Sequence, residues 1–329
     1  MNFNAYFTEK LHSSPDYKLI NNIYRQAGLY SNTQEQTKDS FGYKWNREET
    51  YSSDIVMEKT SKWLTDRYLN GDSALIHNYL FEGCDVLDAG CGAALSAGLL
   101  FSDVFEFINY LGVDISNAID VAQRRLNNLF PNAKQLAFLQ NDLLSLPFEQ
   151  PVFDVIFSEG VLHHTDSVED SIKYLTALLK AGGHLMFYVY KKKAPVREFC
   201  DDYIREQLKG MSDADAWAAL EPLTLLGKTL GDLNIEIDIP ADIPYLEIKQ
   251  GKVNLQLFVY WHIMKMYYRQ EFSIDEMNHI NYDWYRPLNC YRHTPEEIEK
   301  FCIDSGLNIE RMKTEEAGIT VIARKNLGA

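Results

Sequence analysis

A predicted strand that ends in an acid and a turn of very small residues constrains the fold of this chain most strongly. The strand is predicted over residues 84–87, and it is followed by Asp88 and by Ala-Gly-Cys-Gly-Ala-Ala at 89–94. Small residues let a ligand approach the backbone closely, and a helix beginning near Ala93 would offer free N–H groups. The pattern predicts a ligand-binding turn in a doubly wound α/β sheet.

Three further predicted strands also end in polar residues. Because the carboxyl ends of parallel strands meet at one edge of a sheet, these side chains are expected to converge on one ligand. An acid at the start of the turn suits a ligand with an ammonium group or a ribose better than a pyrophosphate. The sequence therefore favours S-adenosylmethionine (SAM) over NAD. The strands and their polar ends are 109–113 with Asp114, 135–140 with Asp142, and 153–157 with Ser158 and Glu159.

Several motifs of this region resemble those of class I SAM-dependent methyltransferases, in the methyltransferase type 11-like group. An F-G-x-x-W segment at 41–45 is similar to one that precedes the SAM domain in some bacterial methyltransferases. The turn departs from the family pattern at Ala94, where a third glycine is usual. Alanine is tolerated there if its φ is negative, so SAM binding is expected to be retained. The motifs are D-x-G-C-G at 88–92, V-L-H-H at 161–164 and L-K-x-G-G at 179–183, and the resemblance covers 84–190 and 291–325.

The resemblance implies an α/β fold, with a Rossmann-like doubly wound seven-stranded sheet, a helical N-terminal extension and a large insert after the fifth strand. Residues 16–25 and 55–70 have apolar residues at helical spacing, which predicts two helices in the extension. An insert after the carboxyl end of a strand is positioned to cover the reacting methyl group. The expected units are a helical cap at 1–82, a SAM-binding core at 83–190, a substrate lid at 191–290, and a C-terminal helix with the last two core strands at 291–329.

The resemblance also implies which residues bind SAM. Asp88 is expected to engage the backbone of the turn and the ammonium group, Asp114 the ribose hydroxyls, and Asp142 the adenine amine. Tyr43 and Trp45 are candidates to cover the sulfonium, since an aromatic face attracts a cation, and ordinary core packing is the alternative. The full predicted cofactor set is Asp88, Gly90, Cys91, Gly92, Asp114, Ile115, Asp142, Leu143, Ser158, Tyr43 and Trp45.

The catalytic and acceptor-binding residues are less clearly indicated. Glu159 is placed to act as a general base, to bind a cationic substrate, or only to cap the next turn. His163 and His164 are alternative bases, because an unperturbed imidazole titrates near neutral pH, or they brace the loop. In the aromatic-rich insert, packing of the lid and surface ion pairs are the alternatives to acceptor binding. The predicted acceptor-binding residues are Tyr260, Trp261, Tyr285, Arg197 and Arg286.

The charge balance narrows the class of partner. The 329 residues contain 32 Lys and Arg against 47 Asp and Glu, a net charge of −15. An acidic chain repels phosphate backbones, so no nucleic-acid partner is expected. We expect no membrane-spanning segment and no export signal from the apolar pattern, while five dispersed cysteines favour a reducing compartment. We expect a cytoplasmic protein without a metal site.

The favoured function is methyl transfer from SAM to an N or O atom of a small-molecule metabolite. One alternative is a methyltransferase for a peptide, protein or guanidino side chain. Another is a SAM-binding protein without turnover. An oxidoreductase is disfavoured because the turn lacks the G-x-G-x-x-G order. The sequence leaves open the acceptor atom, the need for a general base and the oligomeric state.

Overall fold

The computed structural model describes Phe7 and residues 17–26, 30–148 and 151–328. Residues 1–6, 8–16, 27–29 and 149–150 of the predicted units, and Ala329, lie outside the described part. Eleven strands are described, of which nine form the main sheet and two a separate hairpin. They are β1 (Tyr17–Ile20), β2 (Ile23–Gln26), β3 (Asp85–Ala89), β4 (Asn109–Asp114), β5 (Gln135–Gln140), β6 (Phe153–Glu159), β7 (Leu179–Tyr190), β8 (Glu236–Ile239), β9 (Gly251–Asn254), β10 (Leu307–Thr314) and β11 (Gly318–Lys325).

The main sheet has the strand order β1-β2-β5-β4-β3-β6-β7-β11-β10. The strands from β2 to β7 in this order pair in parallel, and β11 and β10 continue the sheet in antiparallel pairing. The Rossmann-like fold class predicted from the sequence is therefore confirmed. Its seven predicted strands correspond to β5 through β10 in this order, and the antiparallel pair β1 and β2 extends the β5 edge.

The helix predicted over residues 16–25 is wrong for the described residues 17–25. They form the β1–β2 hairpin, whose turn residues Asn21 and Asn22 have φ values of 54° and 62°. Two central residues with positive φ make the tight turn that matches the twist of paired strands, and asparagine tolerates that conformation. The turn chemistry of two adjacent asparagines thus outweighs the helical spacing of the apolar residues.

Ten helices flank the strands in the described part. Serine or threonine caps many of them, as at Thr294, whose hydroxyl accepts the Glu297 N–H while the Glu297 carboxylate accepts the Thr294 N–H. The C-terminal helix expected within residues 291–329 begins at Pro295, with Thr294 as its N-terminal cap. The helices are α1 (Asn32–Trp45), α2 (Asp54–Leu69), α3 (Leu95–Leu100), α4 (Ala118–Leu129), α5 (Val168–Leu178), α6 (Pro195–Leu208), α7 (Asp213–Leu233), α8 (Leu255–His262), α9 (Ile274–Tyr285) and α10 (Pro295–Asp304).

The core has a layer on each face of the sheet because successive residues of a strand point to opposite faces. Leu87 of β3 packs in the cluster that includes residues of α5 and α10. Its neighbour Val86 packs in the cluster that includes residues of α2, α3 and α4. Both side chains are fully buried. No helix in the described part of the chain is long and apolar enough to cross a membrane.

The long segment between β7 and α10 packs beside the carboxyl ends of the central strands. One aromatic cluster joins Tyr188 and Tyr190 of β7 to Trp217 of α7 and to three aromatic residues of α9. Another cluster joins Phe272 and residues of α9 to the turn after β3 and to residues near α2. The segment and the N-terminal helices therefore enclose the same edge of the sheet.

Candidate active site

A cavity of about 650 Å³ lies at this edge of the sheet. Its walls come from the turn after β3, the ends of β4, β5 and β6, the helices α1 and α2, and the segment between β7 and α10. A small recess beside it is lined by Asp88 and Cys91, together with Gly90, Trp45 and Glu159. The predicted site residues that line the main cavity are Trp45, Gly90, Asp114, Ile115, Asp142, Leu143, Glu159, His164, Arg197, Tyr260 and Trp261.

The turn after β3 depends on its small residues. Gly90 has a φ of 84°, and a Cβ there would lie 2.3 Å from Cγ1 of Val161. Gly92 has a φ of 53°, and a Cβ there would lie 2.8 Å from Nε1 of Trp45. Ala94 also has a positive φ, 53°. The expectation that this position tolerates an alanine requires a negative φ, and the structure does not meet that condition. A left-handed alanine costs roughly 1–2 kcal/mol, so this turn is strained at the position where a glycine is usual.

Asp114, and not Asp88, holds the backbone of the turn. One Asp114 oxygen accepts the Gly92 N–H at 2.8 Å. The other accepts the N–H of Ser116 at 2.8 Å and its hydroxyl at 2.6 Å. Burial nevertheless raises the pKa of Asp114. The carboxylate thus fixes the turn while its residue lines the cavity.

Asp88 is buried with a single described hydrogen-bond donor. The Tyr110 hydroxyl donates to its Oδ2 at 2.6 Å, and only 3% of the residue is exposed. Burial raises the pKa of Asp88 to about 7, and the nearby carboxylates of Asp114 and Glu159 act in the same direction. No lysine or arginine in the described part of the chain forms an ion pair with it. Asp88 therefore offers a poorly compensated negative charge beside the turn.

Asp142 and Ser158 differ in their access to the cavity. Asp142 lines it, and its Oδ1 accepts the Leu144 N–H at 3.0 Å. Ser158 is fully buried outside the lining, and its hydroxyl donates to the Ala89 carbonyl at 2.8 Å. The expected cofactor contact of Ser158 is therefore corrected to a structural bond between β6 and β3. Leu143 and Ile115 line the cavity next to Asp142 and Asp114.

Helix α1 presents one face of the F-G-x-x-W segment to the cavity. Phe41, Lys44 and Trp45 line it, as expected for residues three and four positions apart on a helix. Tyr43 lies on another face, with its ring 6.2 Å from that of Trp217 and 5.8 Å from that of Tyr282. The prediction that Tyr43 covers the cofactor is therefore corrected.

Glu159 lies in the cavity wall with both carboxylate oxygens occupied. Arg67 donates to Oε1, and the Tyr68 hydroxyl donates to Oε2 at 2.6 Å. The Arg67 guanidinium is fully buried between the rings of Trp63 and Tyr188, at 3.2 and 3.8 Å from their centroids. Burial raises the pKa of Glu159, while Arg67 acts in the opposite direction. The pair forms a fixed charge arrangement in which each Glu159 oxygen already accepts one hydrogen bond.

The two adjacent histidines have different surroundings. His163 is fully buried behind the cavity and stacks on Tyr190 at 3.7 Å, so its predicted role as a base is corrected. His164 lines the cavity, and its Nδ1 is 2.6 Å from the Asn289 carbonyl, which requires the Nδ1–H tautomer. Burial lowers the pKa of His164 to about 4. Its Nε2 has no hydrogen-bond partner among the described residues and is left with a free lone pair.

The predicted acceptor-binding residues fall into two groups. Arg197, Tyr260 and Trp261 line the cavity. Tyr285 is buried elsewhere, where its hydroxyl contacts Asp201 at 2.6 Å and the Lys265 carbonyl at 2.8 Å. Arg286 pairs with Asp213 at 2.8 Å and donates to the Met211 carbonyl at 2.9 Å. Tyr285 and Arg286 therefore brace the insert, and their predicted contact with the acceptor is corrected.

Five residues in or behind the cavity wall are missed by reasoning from sequence. Phe41 and Lys44 line the cavity because they share a face of helix α1 with Trp45. A motif read along the sequence does not show which residues share a helix face. Lys265 and Asp283 are charged residues within aromatic-rich stretches, a pattern that marks a polar group in an apolar wall. Arg67 carries no such signal, because its partner Glu159 is 92 positions away in sequence.

Comparison with known proteins identifies a methyltransferase domain model that matches residues 87–187. A tRNA U34 carboxymethyltransferase of Hydrogenovibrio crunogenus is 34% identical over 134 residues, which are 40% of this chain and 38% of that protein. Phthiotriol/phenolphthiotriol dimycocerosates methyltransferase 1 of Mycobacterium ulcerans is 24% identical over 213 residues, 63% of this chain and 74% of that protein. The chain thus matches well under half of the first relative.

Among solved structures, magnesium protoporphyrin IX methyltransferase of Synechocystis PCC 6803, crystallised with bound SAH (S-adenosylhomocysteine), superposes with a TM-score of 0.49. The two chains are 18% identical, and the match covers 89% of this chain and 100% of the other.

Proposed function

We propose that this chain, whose residues 87–187 form a class I SAM-dependent methyltransferase domain, methylates an N or O atom of a small-molecule acceptor. The observation that carries the proposal is the single cavity in which the turn after β3, the acids at the strand ends and the aromatic wall of the insert meet. A pocket of several hundred Å³ whose lining combines aromatic and charged side chains suits a small organic ligand.

The donor set of the cavity fits SAM. Asp114 Oδ2, which accepts only the Gly92 N–H among the described donors, would accept a ribose hydroxyl, and Asp88 would supply a buried negative charge for the ammonium group. Asp142 lies at the end of β5, where the adenine amine is expected. Trp45 covers the turn and offers an aromatic face to the sulfonium. When bound, SAM supplies an electrophilic methyl group on a sulfonium that departs as a neutral thioether.

The protein then has to align the acceptor with the methyl group and exclude water, since in-line displacement at carbon depends on geometry. The insert and α1 close the cavity around the acceptor and exclude solvent. His164, whose Nε2 is buried and unpartnered among the described residues, would accept a hydrogen bond from an O–H or N–H of the acceptor. Glu159, held by Arg67 and Tyr68, would present its carboxylate to a sulfonium bound at the end of β6. These roles make Glu159 an electrostatic group and His164 a positioning residue, because a pKa lowered to about 4 makes its imidazole a weak base.

A small acceptor is favoured over a nucleic acid, although relatives include enzymes named for tRNA. The cavity is enclosed by three parts of the chain, and the net charge of −15 opposes binding of a polyanion. Methyl transfer to a peptide side chain and SAM binding without turnover are the alternatives that the test must separate.

The first test is isothermal titration with SAM, SAH and NAD, followed by a methyl-transfer assay with isotope-labelled SAM. The assay compares a metabolite extract, bulk tRNA and a peptide pool. We expect SAM and SAH to bind, NAD not to bind, and label to enter the metabolite fraction. Labelled tRNA or peptide would reassign the acceptor. Bound SAM with no labelled product in any pool would favour the non-catalytic alternative.

A further inference from the structure

One buried lysine in the acceptor end of the cavity has no bonded partner for its ammonium among the described residues. Lys265 lines the cavity and is only 6% exposed. Its Nζ sits 5.0 Å from the centroid of the Trp284 ring, and no described carboxylate lies within ion-pair distance of it. Burial lowers the pKa of Lys265 to about 8; the Asp283 carboxylate opposes this shift from a longer distance, and the Arg197 guanidinium adds to it. A buried ammonium without a direct counter-ion is unfavourable unless a ligand supplies one.

The other buried cations of the cavity are already neutralised. Lys44 pairs with Asp283, and Arg197 pairs with Asp201 at 2.6 Å. Asp201 also accepts the Trp284 indole N–H at 2.8 Å and the Lys265 backbone N–H at 2.9 Å. Its carboxylate oxygens are therefore occupied, and the Asp201 charge acts on the Lys265 ammonium only from beyond ion-pair distance. Of these three buried cations, Lys265 is thus the one whose ammonium has no paired carboxylate among the described residues.

The position of this charge separates it from the cofactor. Arg197 lies in α6, which begins five residues after β7 ends, and Lys265 packs beside it around Trp284. In the sheet order β3-β6-β7, this wall is two strands away from the turn after β3. Lys265 therefore belongs to the part of the cavity wall formed by the insert, and not to the turn after β3.

We infer that Lys265, with Arg197 beside it, binds a carboxylate on the acceptor, so that the enzyme methylates small organic acids. This inference rests on the proposed function and narrows its substrate class. A singly charged carboxylate matches the one unbalanced ammonium. The aromatic wall of Trp284, Tyr260 and Trp261 would contact the apolar part of the same molecule.

The test measures binding rather than turnover. Ligand-observed NMR on the complex with SAH compares a panel of aromatic and aliphatic carboxylic acids with their primary amides and with phosphate monoesters. We expect at least one acid to bind about tenfold more tightly than its amide, as the loss of a charge-assisted hydrogen bond requires. Equal binding of acids and amides, preference for phosphate monoesters, or no binding of any acid would overturn the carboxylate assignment.

Two variants connect the result to the residue. Lys265→Met removes the charge and keeps the length, and we expect it to weaken acid binding about tenfold without changing SAH affinity. Lys265→Arg keeps the charge and is expected to retain binding. Unchanged acid binding in Lys265→Met, or a loss of SAH affinity, contradicts the inference. Because no turnover is needed, acid binding without methyl transfer would refute the proposed function and leave this subsite in place.

Discussion

At the scale of single residues, the carboxylate of Asp88 illustrates how a binding site lowers the stability of its own fold. The group is buried, it has one phenolic donor, and its pKa is raised to about 7. Its ionised form is therefore unfavourable in the folded protein and free in the unfolded chain. A bound ammonium would supply the missing positive charge, so the unfavourable burial becomes favourable only in the complex.

Replacing Asp88 with asparagine is expected to stabilise the ligand-free protein in a pH-dependent way. A raised pKa in the folded state means that wild-type stability is lost as the pH rises from about 4 to 7. The asparagine amide does not titrate, so Asp88→Asn should gain roughly 2–4 kcal/mol relative to wild type across that range, at about 1.4 kcal/mol per unit change in pKa. Urea unfolding at pH 4 and pH 8 measures the difference, and a difference independent of pH would contradict it. The same variant should bind SAM more weakly.

Replacing Asp114 with alanine is expected to affect both binding and stability. The change removes the acceptor of three internal hydrogen bonds, from Gly92 and Ser116, as well as the proposed ribose contact. We expect SAM affinity to fall about 100-fold, equivalent to roughly 3 kcal/mol, together with a lower melting temperature. Ser116→Ala is the matched control, because it removes one donor to the same carboxylate but no ribose contact. Titration calorimetry should find its SAM affinity within a few-fold of wild type.

The sequence locates these acids because each one follows a predicted strand, and parallel strands bring their ends together. It does not assign their internal partners. Asp88 is expected from sequence to hold the turn, yet Asp114 does so, because side-chain direction at a strand end depends on the path of the following loop. Ala94 likewise has the positive φ of the glycine that is usual in the family pattern, although alanine itself does not indicate that conformation. The types of residue are thus predictable, but their hydrogen bonds are not.

At the scale of elements, the face of α1 decides which aromatic residue contacts the cofactor. Trp45 lines the cavity, whereas Tyr43 packs on Trp217. We expect Trp45→Leu to weaken SAM binding about 2- to 30-fold, the range of a cation–π contact of roughly 0.5–2 kcal/mol, and to weaken SAH binding less because SAH has no positive sulfur. Tyr43→Leu should lower stability and leave SAM affinity unchanged. Equal losses in both variants would show that α1 is rotated from the described position.

The contact of α2 with the end of β6 depends on a buried ion pair. Glu159→Gln leaves the Arg67 guanidinium buried without a counter-ion, which typically costs about 3–5 kcal/mol. The double change Arg67→Met with Glu159→Gln should recover most of that stability, as measured by chemical unfolding. We expect SAM affinity to stay near wild type in both proteins and turnover to stay low in both. Turnover that returns with stability would indicate that Glu159 only positions α2.

Element boundaries are predictable where one strong signal dominates. Thr294 and Pro295 mark the start of α10, and short apolar runs bounded by polar residues mark the central strands. The prediction for residues 17–25 fails because four-residue strands are too short for periodicity to distinguish them from a helical turn. The predictions of acceptor contact for Tyr285 and Arg286 in the insert fail for a different reason. Its aromatic residues all suit a lid, and only the folded chain separates Tyr260, in the cavity wall, from Tyr285, behind it.

At the scale of the whole molecule, the cavity is an assembly of parts that are distant in sequence. Lys44 of α1 pairs with Asp283 of α9 across 239 positions, and Asp283 also accepts the Tyr190 hydroxyl of β7 at 2.6 Å. The Lys44 ammonium holds the pKa of Asp283 far below its usual range, against the opposing effect of burial. This one carboxylate thus joins the N-terminal helices, the sheet and the insert. A ligand that contacts one of these parts is therefore expected to stabilise the packing of the other two.

This coupling predicts where ligand binding reduces amide exchange. SAH at about 100 times its dissociation constant should stabilise the protein by about 2.7 kcal/mol. We expect slower hydrogen exchange in the turn at 90–94, which contacts the ligand, and also in α1, because Trp45 packs on Gly92. The β8–β9 hairpin contributes no residue to the cavity wall and serves as the internal control. Mass spectrometry of exchange with and without SAH measures all three segments. Protection of the turn without protection of α1 would mean that the N-terminal helices do not take part in cofactor binding, and the cavity would then be completed by the core and the insert alone.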